Sequence, residues 1–172
     1  GLVCPTDGLD YMQTPGYFGH IDLARPVFYI QYLNTIMKII RCTCIKCGKI
    51  LIDKNRYKYA LNMKEDARWN FVFSIASKVK RCGEDTHDGC GCKQPAKIKK
   101  EGLATLIAEW ENVEGISSEE SDKLSVKLLP EVVLKNFRRI SDEDINFMGF
   151  SAIWSKPEWM ICSVLAIPPP AV

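Results

Sequence analysis

The amino-acid sequence predicts an α+β fold, an irregular module of several helices and short strands arranged around a cysteine-rich centre. Three observations predict this class. Six of the eight cysteines fall between positions 42 and 92, several segments repeat apolar residues at three- and four-residue steps, and short apolar runs between turn residues indicate strands. Hydrophobic residues make up 47% of the chain and charged residues 26%, which excludes a wholly disordered protein.

The first 25 residues are rich in turn-forming residues. Glycine and proline recur over residues 4–8 and 14–19, so we expect irregular backbone here. Pro26 suits the first turn of a helix, because a proline there loses no helical hydrogen bond. Apolar residues follow it at helical spacing: Val27, Ile30, Leu33, Met37 and Ile40. The pattern predicts a helix that begins at Pro26 and runs to the first cysteines.

Two further elements are expected between the cysteines. Residues 50–52, the run Ile-Leu-Ile, are typical of a short strand. A helix over about residues 62–79 follows. Its apolar stripe is formed by Ala67, Phe71, Ile75 and Val79. This helix would place Cys82 at its C-terminal end.

The segment that follows the last of these cysteines is ambiguous. Residues 97–110 suit either a hairpin or a short helix. Residues 111–123 are rich in Glu, Ser and Asp, which favours a mobile surface loop. We expect the large aromatic residues Trp110, Trp154 and Trp159 to anchor the core rather than to stack on nucleic-acid bases.

The last third of the chain carries clearer signals. Pro130 predicts the start of a helix, and Ser141 is placed to cap a second helix that Gly149 ends. An apolar run over 161–167 indicates a strand. Three prolines at 168–170 then require a polyproline conformation.

The cysteine spacing favours a zinc site. Cys44 and Cys47 are separated by two residues and followed by glycine, which is typical of a tight turn that directs two thiolates at one ion. This spacing, without a recognisable signal peptide, favours zinc over a disulfide framework. Four side chains compete for the remaining two positions: Cys82, Cys90, Cys92 and His87. Cys90 and Cys92 are one residue apart, which makes shared binding awkward, so we prefer Cys82 with Cys90.

Four thiolates fill a tetrahedral shell, which predicts one structural zinc ion and a zinc-stapled module rather than a catalytic metal. His20 and His87 have no nucleophile and orienting carboxylate beside them in the pattern of a catalytic triad. The acidic run at 142–144 starts a helix, where consecutive carboxylates point apart and complement the helix dipole. The residues therefore predict a structural or binding module without its own catalytic centre.

Charge is unevenly distributed, although the whole chain carries a net charge of only +2. Residues 77–100 hold seven Lys and Arg against three acids, whereas residues 101–146 hold eleven acids against five bases. Lys78, Lys80 and Arg81 are therefore candidates for contact with nucleic-acid phosphates. The alternative, a solvated basic surface that offsets an anionic zinc centre, explains the charge equally well.

Several motifs together resemble those of a known family. They are Pro-Gly-Tyr-Phe-Gly-His-Ile-Asp-Leu-Ala-Arg-Pro-Val-Phe at 15–28, Cys-Ile-Lys-Cys-Gly-Lys at 44–49, Gly-Cys-Gly at 89–91 followed by Gln-Pro at 94–95, Lys-Lys at 99–100 and Gly-Leu at 102–103, Trp-Ser-Lys-Pro-Glu-Trp-Met at 154–160 and the prolines at 168–170. In this order they resemble the N-terminal clamp region of the largest subunit of eukaryotic-type, RNA polymerase II-like, DNA-directed RNA polymerase.

This resemblance implies a clamp-type fold, a mobile lobe that closes over template DNA and the RNA–DNA hybrid. Its partners would be other polymerase subunits, including the second-largest. The family's zinc ligands fall on Cys44, Cys47, Cys82 and Cys90. Cys42 and Cys92 would be spare thiols. The parent enzyme would be a nucleotidyltransferase that uses Mg²⁺, but the family's Mg²⁺-binding aspartate loop has no counterpart in this sequence.

The family's other zinc site, with the pattern C-x₂-C-x₆-C-x₂-H, would fall near the N-terminus. Its four positions are occupied here by Cys4, Asp7, Thr14 and Tyr17. One thiolate with a carboxylate, a hydroxyl and a phenol holds structural zinc poorly. We therefore predict a degenerate, metal-free loop held by packing. This erosion indicates a divergent polymerase, and a large DNA virus is one hypothesis for its source.

The expected organisation is a clamp segment over residues 1–172 that belongs to a longer chain. The degenerate zinc loop would cover 1–25, the helices and the four-cysteine zinc site 26–100, and an acidic lobe with a proline-rich exit 101–172. We expect an intracellular protein, in the nucleus or, for a virus, in the cytoplasm or virion. The most apolar run, 160–166, is too short to cross a bilayer, so no membrane partner is expected. The alternative is a free-standing zinc-binding module that contacts nucleic acid or protein.

Overall fold

The computed structural model describes residues 19–102, 105–111 and 123–167. Its helices and strands, in chain order, are β1 (Gly19–Phe28), α1 (Leu33–Cys42), α2 (Glu65–Ala76), β2 (Lys97–Glu101), β3 (Thr105–Glu111), β4 (Lys123–Leu128), α3 (Pro130–Phe137), α4 (Asp142–Phe147) and β5 (Ile161–Ile167). Short 3₁₀ turns at Ile30–Tyr32, Lys58–Asn62 and Pro157–Met160 precede α1, α2 and β5. This mixture of helices and short strands confirms the predicted α+β class.

Three predictions fall on residues outside these ranges. The first is the degenerate zinc loop with Cys4, Asp7, Thr14 and Tyr17. The second is most of the predicted surface loop at 111–123, and the third is the proline run at 168–170. All three stay predictions.

The strands form two small antiparallel sheets. β1 pairs with β5, and β3 lies between β2 and β4 in a three-stranded sheet. The hairpin alternative for residues 97–110 is therefore correct. β4 is not predicted from the sequence, although its run Lys-Leu-Ser-Val-Lys-Leu alternates polar and apolar residues as strands do. Its Leu124 and Val126 remain exposed in the structure.

The helix expected from Pro26 begins at Leu33 instead, and this part of the prediction is wrong. Phe28 lies in β1, opposite Ile161 of β5. The strand register shifts within the segment that contains Pro26, and such an irregularity tolerates a residue without an N–H group. The pairing partner lies far along the chain, so helical spacing near Pro26 could not reveal it. From Leu33 onward the predicted helix is present.

The helix expected over residues 62–79 is present as α2 but ends at Ala76, so Val79 lies outside it and Cys82 lies six residues beyond its end. Its buried face also differs from the predicted stripe. Val72 and Ala76 are fully buried, whereas Ala67 is exposed. Aromatic residues around the helix are partly buried: Trp69, Phe71 and Phe73. Because apolar residues occur on all sides of α2, their spacing does not identify the buried face.

Two smaller expectations need correction. The strand expected at 50–52 is reduced to a single bridge between Ile50 and Thr43, although its side chains are buried as expected. Trp154 does not anchor the core, since 84% of its surface is exposed. Trp110 and Trp159 are partly buried.

The helices of the last third follow the sequence closely. α3 begins at Pro130, and Ser141 accepts a hydrogen bond at 3.2 Å from the Asp144 N–H to cap α4. Gly149 ends this helix with a φ of 100°, a conformation that glycine adopts without strain. Residues of α1, α3 and α4 belong to one main hydrophobic core. No helix among the described residues is long and apolar enough to cross a membrane.

Candidate metal centre

Cys44 and Cys47 lie on a tight turn directly after α1. The carbonyl of Cys44 accepts a hydrogen bond at 2.9 Å from the N–H of Gly48, which has a φ of 78°. The N–H groups of Lys46 and Cys47 point back at Cys44 Sγ, at 3.4 and 3.5 Å. The turn therefore directs two backbone dipoles at one sulfur, which favours its charged form.

Cys82 and Cys90 are brought together by a compact loop. The N–H of Cys82 donates to the carbonyl of Cys92, and the N–H of Gly91 donates to the carbonyl of Cys82, both at 3.0 Å. Gly89 packs against the same cysteine, and a Cβ at this position would lie 2.7 Å from Cys82 Sγ. The loop can hold Cys90 beside Cys82 because position 89 has no side chain.

The four Sγ atoms of Cys44, Cys47, Cys82 and Cys90 all lie within 4.8 Å of one another. Two pairs are closer, Cys44 with Cys90 at 3.4 Å and Cys47 with Cys82 at 3.7 Å. A tetrahedral ion with zinc–sulfur bonds of about 2.3 Å needs sulfur atoms about 3.8 Å apart. The donor set and its spacing therefore fit a metal ion of the zinc type.

The competing ligands are placed differently. Cys92 directs its thiol at the carbonyl of Lys93, at 3.5 Å, and His87 is exposed. Neither belongs to the close group of ligand atoms that the described part of the chain contains. Cys42 is fully buried in the main core. Burial raises the pKa of its thiol to about 12, which keeps it neutral.

The environments of two ligands differ. Burial opposes the charge of Cys44, but hydrogen bonds from the N–H groups of Cys47 and Lys46, and from Gln94, bring the pKa of its thiol down to about 7. Burial raises the pKa of Cys82 to about 12. Without a cation, Cys82 therefore holds its proton at neutral pH, and an ion that binds all four thiolates must displace it.

Gln94 is a part of this site that the sequence reasoning misses. Its side chain is 7% exposed. Its amide group donates to Cys44 Sγ at 3.4 Å and accepts the N–H of Ile45 at 3.0 Å. The signal in the sequence is the Gln-Pro pair at 94–95, which belongs to the segment that resembles the family but to which the sequence assigns no role.

The end of α3 supports the Cys44 turn from the other side. The Asn136 amide donates to the carbonyl of Cys44 at 3.3 Å, and Arg139 donates to the carbonyl of Lys46 at 2.7 Å. A Cβ on Gly48 would lie 2.9 Å from the Cβ of Arg139. The glycine after Cys47 therefore serves two purposes, the turn itself and the close approach of α3.

The basic residues singled out in the sequence lie beside the metal centre. Lys78, Lys80 and Arg81 are all exposed. Lys78 and Lys80 line a groove of about 490 Å³, together with Arg41 and Lys93. Arg81 is turned elsewhere and donates to the carbonyl of Gly91 at 3.3 Å. Two of the three predicted residues therefore share one basic groove.

Comparison with known proteins agrees with the motifs. Residues 1–172 match the family described as RNA polymerase Rpb1, domain 1. The DNA-directed RNA polymerase II subunit RPB1 of Euplotoides octocarinatus is 37% identical to the chain over 178 residues, which cover 98% of this chain and 36% of the relative. The chain thus spans little more than a third of that relative. The chain belongs to the RNA polymerase Rpb1 domain 1 family, the N-terminal region of the polymerase largest subunit.

Proposed function

We propose that the chain acts in DNA-directed transcription as the clamp part of an RNA polymerase largest subunit, where it holds template DNA and the RNA–DNA hybrid. The family match over the whole chain carries this proposal. The parent enzyme is a nucleotidyltransferase whose Mg²⁺ is bound outside this segment. Its other subunits, including the second-largest, are the expected neighbours. The protein would work in the nucleus or, for a viral enzyme, in the cytoplasm or virion.

Within this role, Cys44, Cys47, Cys82 and Cys90 bind one structural zinc ion. The spacing of the four sulfur atoms supports this assignment. Four thiolates leave no open position for water, so the ion stabilises the fold and takes no part in chemistry. Structural zinc contributes about 10–16 kcal/mol in small modules, which is as large as the stability of a typical domain.

The N-terminal loop with Cys4, Asp7, Thr14 and Tyr17 binds no metal in this proposal. Metal content per chain tests both assignments at once. One zinc per chain is the expected result. A second equivalent bound near Cys4 would overturn the assignment of a degenerate site.

The basic groove beside the metal centre faces nucleic-acid phosphates in this proposal. Lys78 and Lys80 extend from the chain between α2 and Cys82, and Arg41 from the last turn of α1. The groove is lined by these three residues, Lys93 and one acid, Glu111, and this excess of basic residues favours an anionic partner. Arg81 would contribute only to the surrounding positive field, since its guanidinium contacts the chain itself.

Salt dependence of DNA retention by the assembled polymerase tests the groove. The double variant Lys78→Gln/Lys80→Gln should retain DNA less well, with the slope of log affinity against log salt reduced by about 1 for each phosphate that is no longer neutralised. Lys135→Gln is a matched control, because Lys135 is an exposed lysine of α3 and does not line the groove. Equal retention and equal slopes for the double variant and the parent enzyme would overturn the assignment of this surface.

A further inference from the structure

We propose that Gln94 is the positioning residue of the metal centre: it fixes Cys44 and joins the three chain segments that supply the four thiols. This inference rests on the proposed zinc site. The three segments are the turn over residues 44–47, the end of the connection at 80–82, and the loop at 90–92.

Gln94 makes a hydrogen bond to each of these segments. Its side-chain nitrogen donates to Cys44 Sγ at 3.4 Å and to the carbonyl of Cys92 at 2.9 Å. Its side-chain oxygen accepts the N–H of Ile45 at 3.0 Å. Its main-chain N–H donates to the carbonyl of Lys80 at 2.7 Å. One residue therefore connects segments that lie up to about 50 positions apart in the sequence.

The orientation of the Gln94 amide is determined by its neighbours. The N–H of Ile45 can only donate, so it requires the amide oxygen. The carbonyl of Cys92 can only accept, so it requires the amide nitrogen. With both ends assigned, an N–H of the same nitrogen is directed at Cys44 Sγ. The amide is buried, so water competes little for its hydrogen bonds.

A hydrogen bond to a ligating sulfur acts on the metal as well as on the fold. A donor beside a thiolate stabilises its charge and orients its lone pairs, and outer contacts of this kind change metal affinity about 10–100-fold. Asn136 provides a comparison within the same site. It is also buried and also contacts Cys44, but its amide donates to the carbonyl and not to the sulfur.

The experiment uses the full chain loaded with zinc and measures zinc transfer to a chelator. Gln94→Met keeps the length of the side chain but removes all three side-chain hydrogen bonds. It should bind zinc about 10–100-fold more weakly, and its zinc should therefore pass to the chelator faster than that of the parent. The cobalt-substituted variant should also show a shifted sulfur-to-cobalt absorption band. Gln31→Met, at an exposed position before α1, should leave both quantities unchanged.

Asn136→Leu separates positioning from general stabilisation. It should lower the stability of the protein but keep the parent cobalt band, since it removes no bond to sulfur. A Gln94→Met protein with the parent release rate and the parent band would overturn the inference. An equal shift of the cobalt absorption band in Asn136→Leu and in Gln94→Met would overturn it as well.

Gln94→Glu keeps the test decisive where Gln94→Met fails to fold. Its carboxylate can accept the N–H of Ile45 but cannot donate to Cys44 Sγ, so fast zinc release is again expected and the parent rate contradicts the inference. Zinc content of the parent protein separates the two proposals. A parent without zinc refutes the zinc site itself, whereas a parent with one zinc and an unaffected Gln94→Glu variant refutes only the role of Gln94.

Discussion

Replacing Asp144 with alanine should destabilise the protein far more than replacing its neighbour Glu143, although both carboxylates contact Lys54. Asp144 Oδ1 lies 2.7 Å from Lys54 Nζ, and the side chain of Asp144 is 6% exposed. Its Oδ2 accepts the N–H of Ile50 at 3.2 Å. Glu143 lies 3.2 Å from the same lysine, but its side chain is 79% exposed. Both carboxylates contact Lys54, but only Asp144 is buried and only Asp144 also accepts the N–H of Ile50.

The expected magnitude follows from what each substitution leaves behind. Asp144→Ala leaves the buried N–H of Ile50 without its acceptor, which costs about 1–3 kcal/mol. It also removes the buried partner of Lys54, and breaking such pairs costs up to about 3–5 kcal/mol when the remaining charge cannot reach water. Lys54 is 29% exposed, so we expect the total to be about 3 kcal/mol. Glu143→Ala should cost at most about 1 kcal/mol, as surface pairs do.

The titration of Lys54 sets the pH range in which this contribution holds. Burial lowers the pKa of Lys54, but hydrogen bonds and charge interactions with Asp144 and Glu143 raise it above its ordinary value overall. A raised lysine pKa means that the stabilisation is fully present at neutral pH. It is lost as the pH rises through the raised pKa. The comparison between variants should therefore be made near neutral pH.

Urea unfolding with saturating zinc measures the difference. The midpoint should fall strongly for Asp144→Ala and slightly for Glu143→Ala, at an unchanged dependence on urea. Asp144→Asn should be intermediate, because its amide oxygen can still accept the N–H of Ile50. Equal losses for Asp144→Ala and Glu143→Ala would refute the reasoning, since burial would then not distinguish the two carboxylates.

Three further predictions concern the metal centre. Cys47→Ser should release zinc and abolish stable folding of residues 42–92, whereas Cys92→Ser should keep its zinc and its fold. Metal content and thermal unfolding measure the two effects. Zinc retention in Cys47→Ser would contradict the ligand assignment. Gly89→Ala should lose most of its zinc, because the added Cβ would lie 2.7 Å from Cys82 Sγ. A normal metal content would contradict this prediction, since the loop that holds Cys82 and Cys90 would then accommodate the side chain. Zinc affinity, measured by chelator competition, should fall as the pH is lowered from about 8 to about 6, since protons compete for the thiolates; a constant affinity would argue against thiolate ligation.

The metal centre was the part of the structure most open to prediction from the sequence. The spacing of Cys44 and Cys47 predicts a local turn, and the thiols indicate metal binding. The one-residue spacing of Cys90 and Cys92 argues only against both binding one ion, and the resemblance to the polymerase family places the ligand at Cys90. The structure brings together the four preferred thiols.

Other features depended on contacts that no local pattern records. β1 extends to Phe28 because Ile161 of β5 lies opposite it, and this overrides a helical pattern that is otherwise sound. The sequence also indicates that the acidic run at 142–144 complements a helix dipole. The structure adds that Asp144 is buried against Lys54, which depends on where the loop after Ile50 happens to lie. Gln94 was missed for the same reason, since its partners come from three separate segments.

The contacts around the Cys44 turn indicate how far the loss of zinc should spread. Asn136 and Arg139 of the α3 end hold the carbonyls of Cys44 and Lys46, and Asp144 of α4 holds the N–H of Ile50 just beyond the turn. Hydrogen bonds thus connect the segment from α3 to α4 with the backbone of the metal-binding turn and of Ile50 beyond it. A turn that rearranges without its ion leaves the buried Asn136 amide and the buried N–H of Ile50 unpaired, at about 1–3 kcal/mol each. Zinc loss should therefore loosen α3 and α4 as well as residues 42–92, because the same few residues form the metal centre and one wall of the core.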